Sequence, residues 1–159
     1  MTAYFKREEL YRIAIEIERS GLAFYTEIAR LSKNEQSRAV YDYLANSEKR
    51  HLRTFKKLLG KNVISAPQSY RGEYRKYLMT LLKDRVFPSS AIARSRAAKS
   101  GPSAALKAGI NSEKDSILLY TELRYMVSPS DRTVIERILA EEKRHLRRMA
   151  DFKKTGCIS

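Results

Sequence analysis

Two tetrads of the same type stand far apart in the chain, Glu48-Lys-Arg-His51 and Glu142-Lys-Arg-His145, each followed by Leu-Arg. A second matched pair lies upstream of them. Glu18-Arg-Ser-Gly-Leu-Ala-Phe-Tyr25-Thr-Glu-Ile parallels Glu113-Lys-Asp-Ser-Ile-Leu-Leu-Tyr120-Thr-Glu-Leu. The upstream pair is offset by 95 residues (113 − 18) and the tetrads by 94 (142 − 48). A repeat that keeps its charged residues while its apolar ones drift calls for a chemical reason. Carboxylate oxygens and imidazole nitrogens are metal ligands. A Glu and a His three apart on a helix share one face, so both can reach one centre.

The elements that must position these groups are helices. Apolar residues recur with helical spacing in four segments, about Tyr4 to Leu31, Glu35 to Leu59, Ser103 to Met126, and from Ser128-Pro129 to about Lys154. Ser32-Lys-Asn-Glu35 reads as a capping box for the second segment. Gly60 stands where a helix C-cap glycine belongs, and Ser128-Pro129 as a cap serine with proline at the first helical position. The seam of the second helix, positions 41, 44, 48, 51, 55 and 58, reads Tyr, Leu, Glu, His, Phe, Leu. That of the fourth, positions 135, 138, 142, 145, 149 and 152, reads Ile, Ile, Glu, His, Met, Phe. The first helix carries Tyr, Ala, Glu, Gly, Tyr, Ile at 11, 14, 18, 21, 25 and 28. The third carries Leu, Gly, Glu, Ser, Tyr, Leu at 106, 109, 113, 116, 120 and 123. Glu and His thus occupy core positions flanked by apolar residues.

Four glutamates and two histidines therefore point into one core. Burying an unpartnered charge costs several kcal/mol per ion, and no Lys or Arg lies on the seams. Two divalent cations would balance four carboxylates, with carboxylates bridging and each His binding one ion. A single Glu-x-x-His tetrad on a charged helix is ordinarily a solvated face. Two copies in one core register, each matched to a Glu seven residues before a Tyr, are not. Tyr25 and Tyr120 read equally as core packing or as neighbours of the site. Glu16 and Glu141 fall off the seams, and their repeat partners are Asn111 and Ser47, so they are not counted as ligands.

The connections within each helix pair are short, which makes antiparallel neighbours. Residues 61–102 are too long for a turn. They suit a crossover along the bundle, because ~25 helical residues span ~38 Å. Tyr70 to Val86 looks like an amphipathic helix within it, ended by Phe87-Pro88. The whole chain of 159 residues reads as one domain. No apolar run is long enough for a membrane span, and Met1 to Leu10 is too polar for a signal peptide. The lone Cys157 rules out a disulfide framework within the chain and a cysteine-based metal site. A cytoplasmic protein is expected. The net charge is +14, from 32 Lys plus Arg against 18 Asp plus Glu. It favours anionic partners or simply keeps a helical surface solvated.

One Glu on each of two helices, plus Glu-x-x-His on each of the other two, resembles the ferritin-like di-iron carboxylate proteins. The order of spacings, Glu-x6-Tyr in particular, is similar to the rubrerythrin branch. The resemblance implies an all-α, ferritin-like four-helix bundle of two helical hairpins joined by a long crossover containing an additional helix. It implies Glu18 and Glu113 as terminal ligands, Glu48 and Glu142 as bridging carboxylates, and His51 and His145 on one metal each. Tyr25 and Tyr120 then lie just outside the ligands. Two features depart from the rubrerythrin pattern. No Cys-x-x-Cys pair for a rubredoxin-like centre is present, and the positions one turn after Glu18 and Glu113 hold Gly21 and Ser116 instead of an extra Glu. The ligand set is the symmetric four-Glu, two-His kind, similar to the bacterioferritin centre.

The function implied is an oxidoreductase with two iron ions, manganese being the alternative, acting on H2O2 or O2. Without a built-in donor it needs a separate electron donor such as a rubredoxin-like protein. Rival readings are a ferroxidase or iron-handling protein, a di-manganese catalase-like enzyme, and a non-enzymatic basic protein with a structural metal site that binds polyanions. A homodimer or larger homo-oligomer is expected, with weak, non-specific polyanion binding and no membrane association.

Overall fold

A computed structural model of the chain describes residues 4–5, 7–60, 68–69, 76, 80 and 99–155. Four long helices carry the architecture: α1 (Arg7–Leu31), α2 (Glu35–Leu59), α3 (Pro102–Leu123) and α4 (Pro129–Lys154). Residues 32–34 join α1 to α2 and residues 124–128 join α3 to α4, so each pair is a tight hairpin. α1 packs along α2 and α3 along α4, while α1 meets α3 and α2 meets α4 across the bundle. Two two-residue strands, β1 (Tyr4–Phe5) and β2 (Gln68–Ser69), pair antiparallel beside it.

The helix ends show which local signals decide. Ser32 does not cap α2. Its hydroxyl donates to the Ile28 carbonyl at 2.7 Å, so it closes α1. Asn34 caps α2 instead, its side chain accepting from the Ser37 amide at 3.0 Å. Gly60 ends α2 as expected, but with φ −74°, a right-handed conformation open to any residue. Ser128 caps α4 as expected, accepting from the Asp131 amide, with Pro129 at the first helical position. α1 starts three residues later than the periodicity suggests, because Tyr4 and Phe5 pair with Ser69 and Gln68. α3 starts at Pro102, after Gly101 at φ 99°, a left-handed turn that only glycine adopts cheaply. It ends at Leu123, short of Met126, although Met126 and Val127 stay buried.

Every seam position inferred from the sequence is buried except Phe152, which is half-buried. Ring contacts fix the register between α1 and α2. Tyr11 meets Phe55 at 6.4 Å, and Tyr25 stacks on Tyr41 at 6.4 Å. Glu18 lies midway between those tyrosines on α1, and Glu48 and His51 lie between Tyr41 and Phe55 on α2. The hairpin therefore brings the acids and the imidazole to one level, with an aromatic layer on either side. Phe55 also meets Tyr120 of α3 at 5.4 Å, and Tyr11 donates to Asp131 of α4 at 2.6 Å. The expected crossover, 61–102, with its helix at Tyr70 to Val86, lies largely outside the described residues. Within it Lys76 and Thr80 are helical, Thr80 donating its hydroxyl to the Lys76 carbonyl at 2.9 Å. Among the described residues, no helix is long and apolar enough to cross a membrane.

Candidate metal centre

Six ionisable side chains meet in the middle of the bundle. Glu18, Glu48, His51, Glu113, Glu142 and His145 are each at most 3% exposed. They form two overlapping groups whose ligand atoms lie within 4.8 Å of one another. One is Glu18, Glu48, His51 and Glu142, and the other is Glu48, Glu113, Glu142 and His145. Glu48 and Glu142 belong to both. Each remaining Glu is grouped with the His of the other helix of its own hairpin: Glu18 of α1 with His51 of α2, Glu113 of α3 with His145 of α4.

Glu142 stands between the imidazoles, with Oε1 2.9 Å from His51 Nδ1 and Oε2 3.0 Å from His145 Nδ1. The two rings are stacked at 5.9 Å. His51 Nδ1 also lies 3.4 Å from Glu18 Oε2, and His145 Nδ1 lies 3.8 Å from Glu113 Oε2. Among the described residues, Glu18, Glu113 and Glu142 form ion pairs with the two imidazoles only.

The tyrosines hold the outer oxygens. Tyr25 of α1 donates to Glu113 Oε1 at 2.5 Å and contacts the Gly109 carbonyl oxygen at 3.5 Å. Tyr120 of α3 donates to Glu18 Oε1. The exchange is reciprocal across the α1–α3 interface. It leaves one oxygen of each carboxylate, Glu18 Oε2 and Glu113 Oε2, buried with no hydrogen-bond partner. His51 Nδ1 and Glu142 Oε1 are buried too, and although only 2.9 Å apart they make no aligned hydrogen bond. A buried polar atom without a partner costs about 1–3 kcal/mol, yet four of them crowd one small volume. Their lone pairs are all oxygen or nitrogen, the donor set that suits a carboxylate–imidazole divalent metal site. The buried carboxylate and imidazole cluster fits metal binding.

The electrostatics agree. Burial raises Glu18 and Glu48 well above the usual carboxylate range, and the charge of Glu142 adds to it. Glu113 is pushed up to about 8, first by burial and then by Glu142. Burial works against the charged forms of His51 and His145, but Glu142, helped by Glu48 and Glu141, raises His51 to about 9, and Glu113 with Glu142 raises His145 to about 10. Burial opposes ionisation of Glu142 too, but the two imidazoles hold it well below the usual range. Burial, then the adjacent carboxylates, raise Tyr25 and Tyr120 well above the phenol range, so both stay neutral donors. Without metal, protons do the work of charge balance in this core.

A rubrerythrin family model matches residues 9–153. The chain belongs to the rubrerythrin family. A solved structure from Thermotoga maritima, described as a candidate ferritin-like diiron-carboxylate protein, superposes with a TM-score of 0.77. It is 23% identical and the match covers 97% of this chain and 98% of that one. At that identity the likeness establishes the ferritin-like four-helix fold. No curated protein matches the chain significantly. This sequence holds a single cysteine, so it contains no paired Cys-x-x-Cys motif. Gly21 and Ser116 are buried at the positions one turn beyond Glu18 and Glu113.

Of the two acids set aside on the sequence, Glu16 is exposed and pairs with Arg19 on its own helix. Glu141 is different. Its Oε2 lies 3.0 Å from His51 Nε2, on the side of the ring away from Glu142. The signal was present in the spacing. Residue 141 is three after seam residue Ile138 and four before His145, so it borders the seam face. The mismatch with its repeat partner Ser47 masked it.

Proposed function

We propose that this chain holds two iron ions on Glu18, Glu48, His51, Glu113, Glu142 and His145, and reduces H2O2 or O2 with electrons from a separate donor. The observation that carries this reading is the set of buried, unbonded oxygen and nitrogen atoms converging from four helices. Glu48 and Glu142, common to both groups, would be the carboxylates shared by the two ions. Glu18 with His51, and Glu113 with His145, complete one position each. Bound there, two iron ions supply the two electrons that reduce H2O2 to two waters when two protons are added.

The protein's own part is positional. Tyr25 and Tyr120 each occupy one carboxylate oxygen and so present the other inward. The aromatic layer of Tyr11, Phe55 and Tyr120 on one side, and that of Tyr25 and Tyr41 on the other, keep bulk water away from the carboxylates. Lys49, Arg50, Arg53, Lys143, Arg144, Arg147 and Arg148 are all exposed on the turns carrying the histidines. A surface of that sign favours an acidic electron donor.

The test is peroxide consumption by protein loaded with Fe(II) without oxygen, with and without a chemical reductant. One equivalent of H2O2 consumed per di-iron centre without reductant, and continuous turnover with it, is the expected result. Dioxygen evolution without any reductant supports a catalase-type reaction instead. Loaded protein that leaves peroxide untouched sinks the reductase reading.

A further inference from the structure

The two halves of the site match in their inward faces but not at the outer edges of the imidazoles. His51 Nε2 faces Glu141 Oε2 at 3.0 Å. That carboxylate is fixed from several sides. Arg50 reaches it at 3.6 Å, Arg144 at 3.9 Å, and the Ser47 hydroxyl donates to it at 3.4 Å. Among the described residues, His145 has no counterpart to Glu141. Its Nε2 is buried with no hydrogen-bond partner, and the ring is covered edge-on by Tyr43 at 5.8 Å. Arg148 in turn lies over Tyr43 at 4.4 Å. The repeat explains the difference: an offset of 94 places Ser47, not an acid, opposite Glu141 (141 − 94).

We infer that Glu141 makes the two metal positions inequivalent, so that the position served by His51 binds its ion more tightly and fills before the position served by His145. The inference rests on the di-metal reading above. A neutral imidazole has one N–H and one lone pair. A carboxylate can only accept, so Glu141 places the N–H of His51 on Nε2 and leaves the Nδ1 lone pair facing Glu18 and Glu142. The negative partner also strengthens that nitrogen as a donor, and loss of such a partner costs roughly 10–100-fold in metal affinity. At His145 the neighbouring carboxylates, Glu142 at 3.0 Å and Glu113 at 3.8 Å, both face Nδ1, and presenting the Nδ1 lone pair to an ion leaves an Nε2–H buried without an acceptor among the described residues. Glu141 is therefore a positioning residue for one ion, and the ion at His145 is the exchangeable one.

The experiment is titration of metal-free protein with Co(II), read by calorimetry and visible absorption, on wild type, Glu141→Gln and Glu141→Ala. Wild type should bind two ions in resolved steps, separated by roughly 10–100-fold. Glu141→Ala should weaken the first step to near the second and leave the second alone. Glu141→Gln keeps an accepting oxygen and should retain part of the separation. The histidine 15N spectrum of Zn(II)-loaded protein gives a second readout. The Nε2–H proton of His51 should be hydrogen-bonded and slow to exchange in wild type and Glu141→Gln, and lose that protection in Glu141→Ala. Glu141 is half-buried at 32% exposure, so its removal should leave the fold intact by circular dichroism. Two equal steps in wild type, or an equal loss at both steps in Glu141→Ala, would overturn the inference while leaving the di-metal reading standing. No uptake of Co(II) by wild type would overturn both.

Discussion

Tyr25 donates to Glu113 across the α1–α3 interface, and Tyr120 returns the same bond to Glu18. The two bonds tie the helix pairs together at the level of the carboxylates, so they couple bundle assembly to the geometry of the site. Tyr25→Phe would strip Glu113 Oε1 of this donor at a fully buried position. A loss of about 1–3 kcal/mol in unfolding free energy is expected, with a similar loss for Tyr120→Phe at Glu18. The Glu113 carboxylate would also be free to rotate, so Tyr25→Phe should loosen mainly the ion at His145, and Tyr120→Phe mainly the ion at His51. Chemical denaturation and metal off-rates measure the two effects. Variants as stable as wild type, with unchanged off-rates, would show these tyrosines to be packing residues only.

Stoichiometry separates shared from unshared ligands. Wild type is expected to hold two ions per chain, one for each group of ligands. Glu48→Ala or Glu142→Ala removes a carboxylate common to both groups and should lower occupancy at both. His51→Ala or His145→Ala should affect chiefly one. Elemental analysis after dialysis gives the counts. If Glu142→Ala left one ion fully bound, its place between the two imidazoles would not reflect a bridge.

The shape of the site was legible because charge sat where packing demands apolar residues. Glu18, Glu48, Glu113 and Glu142 interrupt otherwise hydrophobic seams, and the core contains all four. The helix boundaries were less so, because competing caps stood within three residues. Ser32 and Asn34 both qualify by type, and only the bond from Ser32 to Ile28 decides between them. Glu141 was missed for a related reason. Its role depends on which neighbouring helix presents His51 Nε2 to it, and that is a tertiary fact. Gly109 hides a similar one: a Cβ there would come within 3.2 Å of Met149 Sδ and 3.4 Å of Tyr25 Cε1. The glycine lets α3 approach the tyrosine that holds Glu113.

The raised values of the core groups give the metal-free protein a particular pH response. His51 and His145 ordinarily titrate near 6.5 and are raised to about 9 and about 10. Their contribution to stability is complete below pH 6.5 and disappears as the pH rises through those values. Glu113, raised from 4.5 to about 8, has the same sign, since burial favours its protonated form. Glu142 acts the other way, stabilising above 4.5 and losing that contribution in acid. The metal-free melting temperature should therefore fall between pH 6.5 and 9. Metal competes with the same protons, so its binding strengthens over that range. The gap in melting temperature between loaded and metal-free protein should widen toward pH 9. Parallel curves across the range would mean that these groups are not ligands.

The basic surface makes the last prediction. The formal excess of +14 counts the four buried glutamates of the site and the buried Asp131, so the surface itself is more positive still. Arg50 and Arg144 are partly engaged by Glu141, while Lys49, Arg53, Lys143, Arg147 and Arg148 stand exposed nearby. Such a surface should bind duplex DNA weakly and without sequence preference, by releasing counterions, so binding at ~50 mM salt should largely vanish at ~200 mM. An acidic donor protein would show a steep fall in association rate over the same range, from lost steering. The two partners are told apart by the pair of measurements. DNA retained at low salt by a labelled-duplex titration supports polyanion binding. Its absence, together with salt-sensitive reduction by an acidic electron carrier, would assign the charge to donor docking. Neither response would leave the excess charge with no role beyond solvating the helices.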